Sequence, residues 1–477
     1  MKDSYDAVVI GAGIGGLTTG ALLAKKGLSV AVFEAQPVAG GYCTSFRRKG
    51  YTFDSCLDAV SGLGRDGWLR RVLNRLGVEG EIEAVRLDPL RVDSFSGDRV
   101  AIPGELPALI ELLCSIAPAE KDGIRGLMKA MDAIYRTAMV TTPEVLYNDA
   151  RLDRRGGDLA RYRRLSYKDL LDDYVKDAKV RAILSDRAAF MGLPPSRVSA
   201  VAMVIMFMTF AVGGGYRIKD GAANLAKALA KGLKDAGGEL HLKSPVTGIT
   251  VEDGRAQGVT AGGQTVRAKA VVSAIDAATT ASLAGIEIAP KSLKPSVCFF
   301  MVYLGLDGDT DMPDGMGIYP GYDIESTFSD IASDITSPRA SMEIINYSRI
   351  SPGMAPKGGS TLMLMSKAAY HYRDDWEAVK GREMDRAIDF ADRALPGIKG
   401  RVSYAESATP LTLKRYTGNT DGAAFGYEQG IGNRRPGART SIPNLYLAGH
   451  WTYPGGGVES VAASGIIASE AVAAGIQ

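Results

Sequence analysis

The residues with the clearest chemical content come early in the chain: Gly11-Ala12-Gly13-Ile14-Gly15-Gly16, with Glu34 closing a later apolar run. A turn this rich in glycine brings backbone N–H groups to phosphate oxygens because no side chain stands between them. Gly11 permits the tight turn, Gly13 lets the backbone approach a pyrophosphate, and Gly16 lets a helix pack closely on the preceding strand. A carboxylate about twenty residues further on, here Glu34, accepts hydrogen bonds from an adenosine ribose. The constellation points to dinucleotide binding, with a Gly-rich turn of an unrelated α/β protein as the alternative, and supplies neither a nucleophile nor an acid–base pair.

The elements that must hold these residues are legible around them. Asp6 to Ile10 is a short apolar run suited to a buried parallel strand. Leu17, Ala21, Leu22 and Ala24 then recur at helical spacing, and Val30 to Phe33 reads as a second strand, which completes a βαβ unit. In the middle of the chain Leu225, Leu229 and Leu233 mark an amphipathic helix ended by Gly237-Gly238. Strands follow at Glu239 to Leu242 and Val246 to Val251, with a hairpin turn at Asp253-Gly254 and a buried strand from Ala268 to Asp276. Near the end, Asn444 to Ala448 runs into Gly449-His450-Trp451, then Gly455-Gly456-Gly457, and a helix starts near Val458. A helix start presents unpaired N–H groups and partial positive charge.

Bulk properties set the frame. A chain of 477 residues predicts two or three structural units, and 46% hydrophobic with 23% charged residues is ordinary for a globular protein. Fifty-six basic against 54 acidic residues leaves no overall field to attract nucleic acid. Cys43, Cys56, Cys114 and Cys298 show no metal-like or C-x-x-C spacing, and three histidines make a histidine-rich metal site an unfavoured reading. The N-terminus shows no basic stretch leading into an apolar one, so the expectation is cytoplasmic residence. Val198 to Val212 is strongly apolar yet shorter than the ~20 residues that span a bilayer.

Past Glu34-Ala35 come Gly40-Gly41-Tyr42 and then Gly50-Tyr51-Thr52-Phe53-Asp54. This order resembles the flavin-binding stretch of the amine oxidase and phytoene desaturase superfamily. The stretch Thr409-Pro410-Leu411-Thr412, Arg415-Tyr416-Thr417 and Gly422-Ala423-Ala424-Phe425-Gly426-Tyr427 is similar to a signature of phytoene desaturases, carotenoid cis-trans isomerases and retinol saturases. The resemblance implies FAD as cofactor. It places Gly40, Gly41 and Tyr42 beside the pyrophosphate, the Val246 backbone on the adenine, and the helix start at Gly456, Gly457 and Val458 toward the flavin N1 and C2 carbonyl. With Gly11, Gly13, Ile14, Gly15, Gly16, Glu34, Ala35, Gly449 and His450 these make the expected cofactor shell. No second G-x-G-x-x-G follows a strand, so no NAD(P)H-binding unit is expected.

The implied fold is α/β: a Rossmann-like FAD-binding domain of the glutathione reductase type 2 frame with an inserted α+β substrate domain. The expected partition is 1–86, 213–294 and 402–477 for the cofactor, and 87–212 with 295–401 for the substrate. Two positions depart from the family pattern. Phe53-Asp54-Ser55-Cys56-Leu57-Asp58 lacks the Gly-Pro of the desaturases, and His450 stands where an acid is common. His450 has three readings: a hydrogen bond to the ribityl chain, a proton source beside the flavin and the one weak catalytic candidate, or plain packing.

The expected substrate is a long apolar polyene or isoprenoid changed at C–C or C=C bonds, with the protein supplying binding, orientation and a dry site. Met203, Met206 and Met208 in the Val198 to Val212 helix suit a tunnel wall for a flexible hydrocarbon, or equally an interior core helix. The basic run Arg151, Arg154, Arg155, Arg161, Arg163 and Arg164 is either a solvated loop or a site for anionic headgroups, which with a water-insoluble substrate makes a membrane surface an expected partner. Amine oxidation and a flavin-bearing lipid carrier without turnover are the competing readings. The sequence leaves the oligomeric state open.

Overall fold

The computed structural model describes residues 2–140, 157–288 and 292–476, so Arg151, Arg154 and Arg155 lie outside the described residues. Five strands form a parallel sheet in the order Leu445–Leu447, Gln264–Ser273, Ser4–Ile10, Val30–Phe33 and Glu239–His241. Val30–Phe33 is buried at every position, as a strand covered on both faces must be. The first half of Gln264–Ser273 extends beyond its parallel neighbours and pairs antiparallel with Arg255–Ala261, which pairs in turn with Val246–Glu252. Asp253 and Gly254 both take positive φ in the intervening turn, the conformation a two-residue hairpin requires.

Helices Ile14–Lys25, Ala223–Asp235 and Val458–Ile476 cover one face, where Leu17, Leu22, Leu225, Leu229 and Val472 share a core with Val9 and Val32. Val458–Ile476 is long and apolar enough to cross a membrane by length and composition, but here it is docked against the first helix. A Cβ added to Gly465 would lie 2.7 Å from the Thr18 Cβ, so the two helices approach more closely than a side chain allows. The Thr19 hydroxyl donates to the carbonyl oxygens of Gly15 (2.8 Å) and Gly465 (3.3 Å), closing a contact across 446 positions of sequence.

A second sheet has the strand order Val402–Ala408, Cys298–Asp307, Gly359–Ala368, Met342–Asn346, Gly315–Tyr319, Arg91–Phe95 and Asp98–Ile102. All neighbours are antiparallel except the pair Gly315–Tyr319 and Arg91–Phe95. The sequence assigns residues 402–408 with the cofactor segments. The structure corrects this: the strand hydrogen-bonds along Cys298–Asp307 at the edge of the second sheet, and the chain leaves that sheet only after Ala408. In Cys298–Asp307 every residue but Asp307 is buried, so the period of two is hidden in hydropathy. Phe300, Val302, Leu304 and Leu306 face helix Trp376–Ala394, whereas Phe299, Met301 and Tyr303 face the other way, among Tyr51, Phe53 and Met365.

Helices Leu106–Ile116, Lys121–Met139, Gly157–Tyr162, Tyr167–Asp172, Ala178–Ser185 and Ala200–Gly213 form a layer whose core takes Phe95, Val100 and Ile102 from the last two strands. Charge is buried beneath it. Arg91 donates to Asp93 (2.7 Å) and to Glu343 and lies 3.9 Å from Asp186, while Tyr319 donates to the Asp186 carbonyl (2.9 Å) and to Glu343 (3.2 Å). All five residues are buried. Removing the single guanidinium that three carboxylates share leaves them desolvated without it. Arg91→Met is therefore expected to lower unfolding free energy by about 3–5 kcal/mol, read as a lower midpoint in urea, whereas a surface pair such as Lys168–Asp172 should change it little.

Candidate active site

Among the described residues, the two sheets and the helical layer border a cavity of about 1730 Å³. Pockets for single small molecules run to about 1000 Å³, so this one has room for a dinucleotide and a second large ligand. Gly11, Gly13, Ile14, Gly15, Glu34, Ala35, Gly40, Gly41, Tyr42, Val246, Gly449, His450, Gly456, Gly457 and Val458 all line it. Gly16 does not. A Cβ there would lie 2.0 Å from the Gly11 carbonyl oxygen, which is the close helix–strand packing the glycine pattern demands.

Several features fit the adenosine and diphosphate half of FAD. Helix Ile14–Lys25 has no side-chain cap at Gly13, and a Cβ on Gly13 would meet nothing within 4 Å, so its N-terminus opens on the cavity. Gly13 and Gly40 form a parallel bridge, which brings the second glycine pair alongside the first. The Glu34 carboxylate is held by two backbone donors, Ala12 N–H to one oxygen and Gln36 N–H to the other, each at 2.8 Å. Each oxygen keeps a lone pair for a ribose hydroxyl. Gly15 backs directly onto Gly449, whose N atom would be 2.8 Å from a Gly15 Cβ, so the first and last cofactor segments touch.

The part of the cavity where the flavin is expected is organised by a residue that motif reading passes over. Asn419 is buried and follows Gly418, the left-handed residue that ends helix Pro410–Thr417. Its Oδ1 accepts from the Trp451 indole N–H at 2.9 Å and lies 3.3 Å from His450 Nε2, while its amide donates to the Tyr42 hydroxyl at 3.3 Å. The indole is only a donor, so it sets the amide orientation and turns Oδ1 toward the His450 ring. Tyr42 donates onward to the Ala423 carbonyl at 2.9 Å. One side chain therefore joins the N-terminal, signature and C-terminal blocks. Asp276 adds a second tie: its carboxylate accepts from Thr279 N–H (2.8 Å), capping a helix, and from Thr420 N–H (2.9 Å).

Electrostatics at the wall favour neutral forms. Burial lowers the His450 pKa to about 4, against weaker raising effects from the Ala424 backbone and Asp276. Burial therefore favours the uncharged ring over the imidazolium at this position. Burial pushes the Cys56 thiol up to about 12 and holds the Tyr42 phenol well above its ordinary value. Neither ionises near neutrality.

The remaining lining divides the earlier expectations. Met206 borders the cavity with Val201, Ala202, Ile205, Thr209 and Phe210, whereas Met203 and Met208 point into the helical core, so the helix serves as wall on one face and core on the other. Arg163 and Arg164 line the cavity, and Arg161 pairs with Asp173 at 2.9 Å. Phe299, Tyr303, Met365 and Phe425 complete an apolar wall. A Cβ on Gly456 would lie 2.6 Å from the Phe425 Cβ, which sets that wall against the loop before the last helix.

A glycine turn, a strand-terminal carboxylate and a late glycine loop converging on one cavity define a dinucleotide-fold flavoprotein. The family model described as flavin containing amine oxidoreductase matches residues 14–473, and the chain belongs to that family. Its cofactor is FAD, and it is an oxidoreductase-type enzyme. The chain is 27% identical to a chloroplastic prolycopene isomerase of Daucus carota, over 98% of this chain and 80% of that one. It is 25% identical to an all-trans-retinol 13,14-reductase of Danio rerio, over 94% of this chain and 83% of the other. The structure of an oxidoreductase from Methanosarcina mazei superposes with a TM-score of 0.66 at 19% identity, covering 98% and 99% of the two chains, and shows the same fold.

Three outcomes follow. Glu34→Ala should weaken FAD binding about tenfold or more, measured by flavin release on dilution, because two backbone donors and the ribose site lose their acceptor. Asn419→Ala strands the Trp451 indole N–H and should cost about 1–3 kcal/mol, seen as a lower melting temperature. For His450 the unfolded ring takes up a proton near its ordinary pKa of 6.5, and the folded one only near 4. The unfolded state thus binds more protons in that window, and stability falls as pH drops from 6.5 toward 4. His450→Gln should flatten this part of the profile in melting experiments.

Proposed function

We propose that the enzyme uses FAD to change C–C or C=C bonds of a long apolar polyene or isoprenoid, by desaturation, saturation or cis-trans isomerisation. The observation that carries this reading is the apolar wall of Phe299, Tyr303, Met365 and Phe425, continued by Ile205, Met206 and Phe210, in the cavity that the glycine loops border. The relatives support it, since one is named an isomerase of a carotene and another a reductase of a retinoid.

The bound flavin supplies hydride acceptance or donation, and the chain's own residues do the rest. The start of helix Val458–Ile476 directs its N–H groups and partial positive charge into the cavity, where they favour electron-rich ligand oxygens. Asn419 orients neutral His450, and the apolar wall excludes water and aligns the chain of carbons. Burial favours the protonated thiols of Cys56 and Cys43, which line the cavity. A substrate that water does not dissolve is collected from a lipid surface, so the proposal includes peripheral membrane association of a cytoplasmic protein.

The test is anaerobic. Dithionite-reduced holoprotein is mixed with acyclic carotenes or retinol in detergent, and the flavin spectrum and the products are followed. Flavin reoxidation with a saturated product, or a changed cis-trans composition without net oxidation, is expected; where desaturation is the reaction, oxidised holoprotein in the same anaerobic mixture is instead bleached as a desaturated product forms. In a parallel aerobic assay with oxidised holoprotein, hydrogen peroxide release with putrescine and silence toward polyenes would instead make the protein an amine oxidase, and silence toward both in either flavin state would favour a carrier.

A further inference from the structure

Glu459 lines the cavity beside Gly456, Gly457 and Val458 and stands in the first turn of helix Val458–Ile476. The loop before helix Trp68–Leu76 is shaped around its side chain. A Cβ on Gly62 would lie 2.5 Å from Glu459 Cδ, and the three atoms nearest to that position all belong to Glu459. Gly67, which precedes helix Trp68–Leu76, has no side chain to cap it, and the Trp68 N–H donates instead to Glu459 Oε1 at 3.1 Å. Two helix starts therefore meet at one carboxyl group. Its other oxygen, Oε2, is buried without a hydrogen bond of ordinary geometry.

The surroundings supply no opposite charge to pair with it. Helix Lys121–Met139 brings the Tyr135 phenol, which burial and, more weakly, the Glu459 charge push above its ordinary value. Helix Ala200–Gly213 brings only Thr209 to this part of the lining, and the loop ahead of Trp68 carries Arg65 and Asp66, both exposed. On helix Trp68–Leu76, Arg70 donates to the Leu63 carbonyl and to Glu79, while Arg71 stacks on the Trp68 ring. The next ionisable group on Glu459's own helix is Glu470, which pairs with Lys26 at 2.7 Å. Helix starts favour a carboxylate. Burial favours the acid and is the larger effect, against the pull of the Trp68 N–H and the Ser61 hydroxyl. A carboxyl under such opposed influences responds to a charge that arrives in the cavity.

We propose that Glu459 is a redox-linked proton site: when the bound flavin takes up two electrons, the Glu459 carboxylate takes up a proton. The inference rests on FAD binding, with the flavin at this helix start as expected, and it is independent of the substrate. No electron reaches Glu459. A carboxylate and a solvent proton become a carboxylic acid, which offsets the negative charge gained by the cofactor. Linkage works both ways, so a proton on Glu459 raises the electron affinity of the flavin as much as electrons raise the proton affinity of Glu459. Between the Glu459 pKa of the oxidised holoenzyme and that of the reduced one, the flavin potential falls with pH by one proton more than the cofactor alone requires.

The experiment measures flavin midpoint potentials by dye equilibration across the pH range in which the holoenzyme keeps its FAD, for the native protein and Glu459→Gln. Glutamine still accepts from the Trp68 N–H and cannot ionise, so it separates the charge from the cap. One proton on a two-electron couple steepens the profile by about 30 mV per pH unit. That increment should be present in the native protein and missing from the variant, whose potential should match the native one at the acid end and exceed it at the alkaline end. Within the steep interval, infrared difference spectra should gain a carboxylic C=O band on reduction that is absent from Glu459→Gln. Profiles that coincide or run parallel at every pH, with no such band, would overturn the proposal. If Glu459→Gln loses its flavin, Glu459→Asp takes its place and should move the steep interval to lower pH; an interval that stays where it was counts equally against Glu459. No polyene enters the measurement, so its outcome is separate from that of the substrate assay.

Discussion

Backbone touching backbone is the contact on which the rest of this molecule depends. Gly15 at the start of the first helix and Gly449 after the last strand are separated by almost the whole chain, yet a single methyl group on Gly15 would collide with the Gly449 amide. Such an approach cannot be made by side chains, so it cannot be bridged by a longer residue elsewhere. The central parallel sheet sets it up, because Leu445–Leu447 and Ser4–Ile10 flank the same strand, Gln264–Ser273, and release their glycine turns at the same edge. Ligand sites of open α/β sheets lie beyond the carboxyl ends of the strands for this reason.

Given that contact, the second sheet has little freedom. It is built from chain that departs after the early cofactor segment and returns before the late one, so its strands must lie over the same edge. Tyr51 and Phe53 leave the first unit to pack beneath Tyr303 and Met363, and Asp58 pairs with Arg217 of the short strand Tyr216–Ile218 at 2.9 Å in a largely buried bridge. Asn419 completes the arrangement from the opposite side. Its three partners come from two other blocks of sequence, Tyr42 from the first and His450 with Trp451 from the last, and hydrogen-bonding groups that share one amide must keep their relative positions or lose a partner in a dry environment.

Much of the glycine-lined part of the cavity was readable in the sequence because glycine spacing and a strand-terminal acid report backbone requirements, which local sequence controls. The βαβ unit, the Asp253-Gly254 hairpin and the helix start at Val458 appear where the residues predict them. The substrate side was far less legible. Cys298–Asp307 is buried on both faces, so its alternation carries no hydropathy signal, and which of Phe299 and Phe300 meets the cavity is decided by tertiary pairing. The same limit explains the misassigned strand Val402–Ala408, whose residues say nothing about which sheet they will join. Met203, Met206 and Met208 were visible as a group, but only the packed helix separates wall from core. Asn419 had no periodicity and no motif role, and its single sequence cue is the glycine before it.

The dependence of one site on Gly11 and on Gly449 to Val458 has a consequence for biosynthesis. While the ribosome is still making the intervening chain, the early βαβ unit is already available to fold, yet it offers the cofactor only half of its clasp. Capture of the flavin must therefore wait until the late loop and helix have emerged. A nascent chain halted short of them would hold a well-formed strand–helix–strand unit and remain colourless.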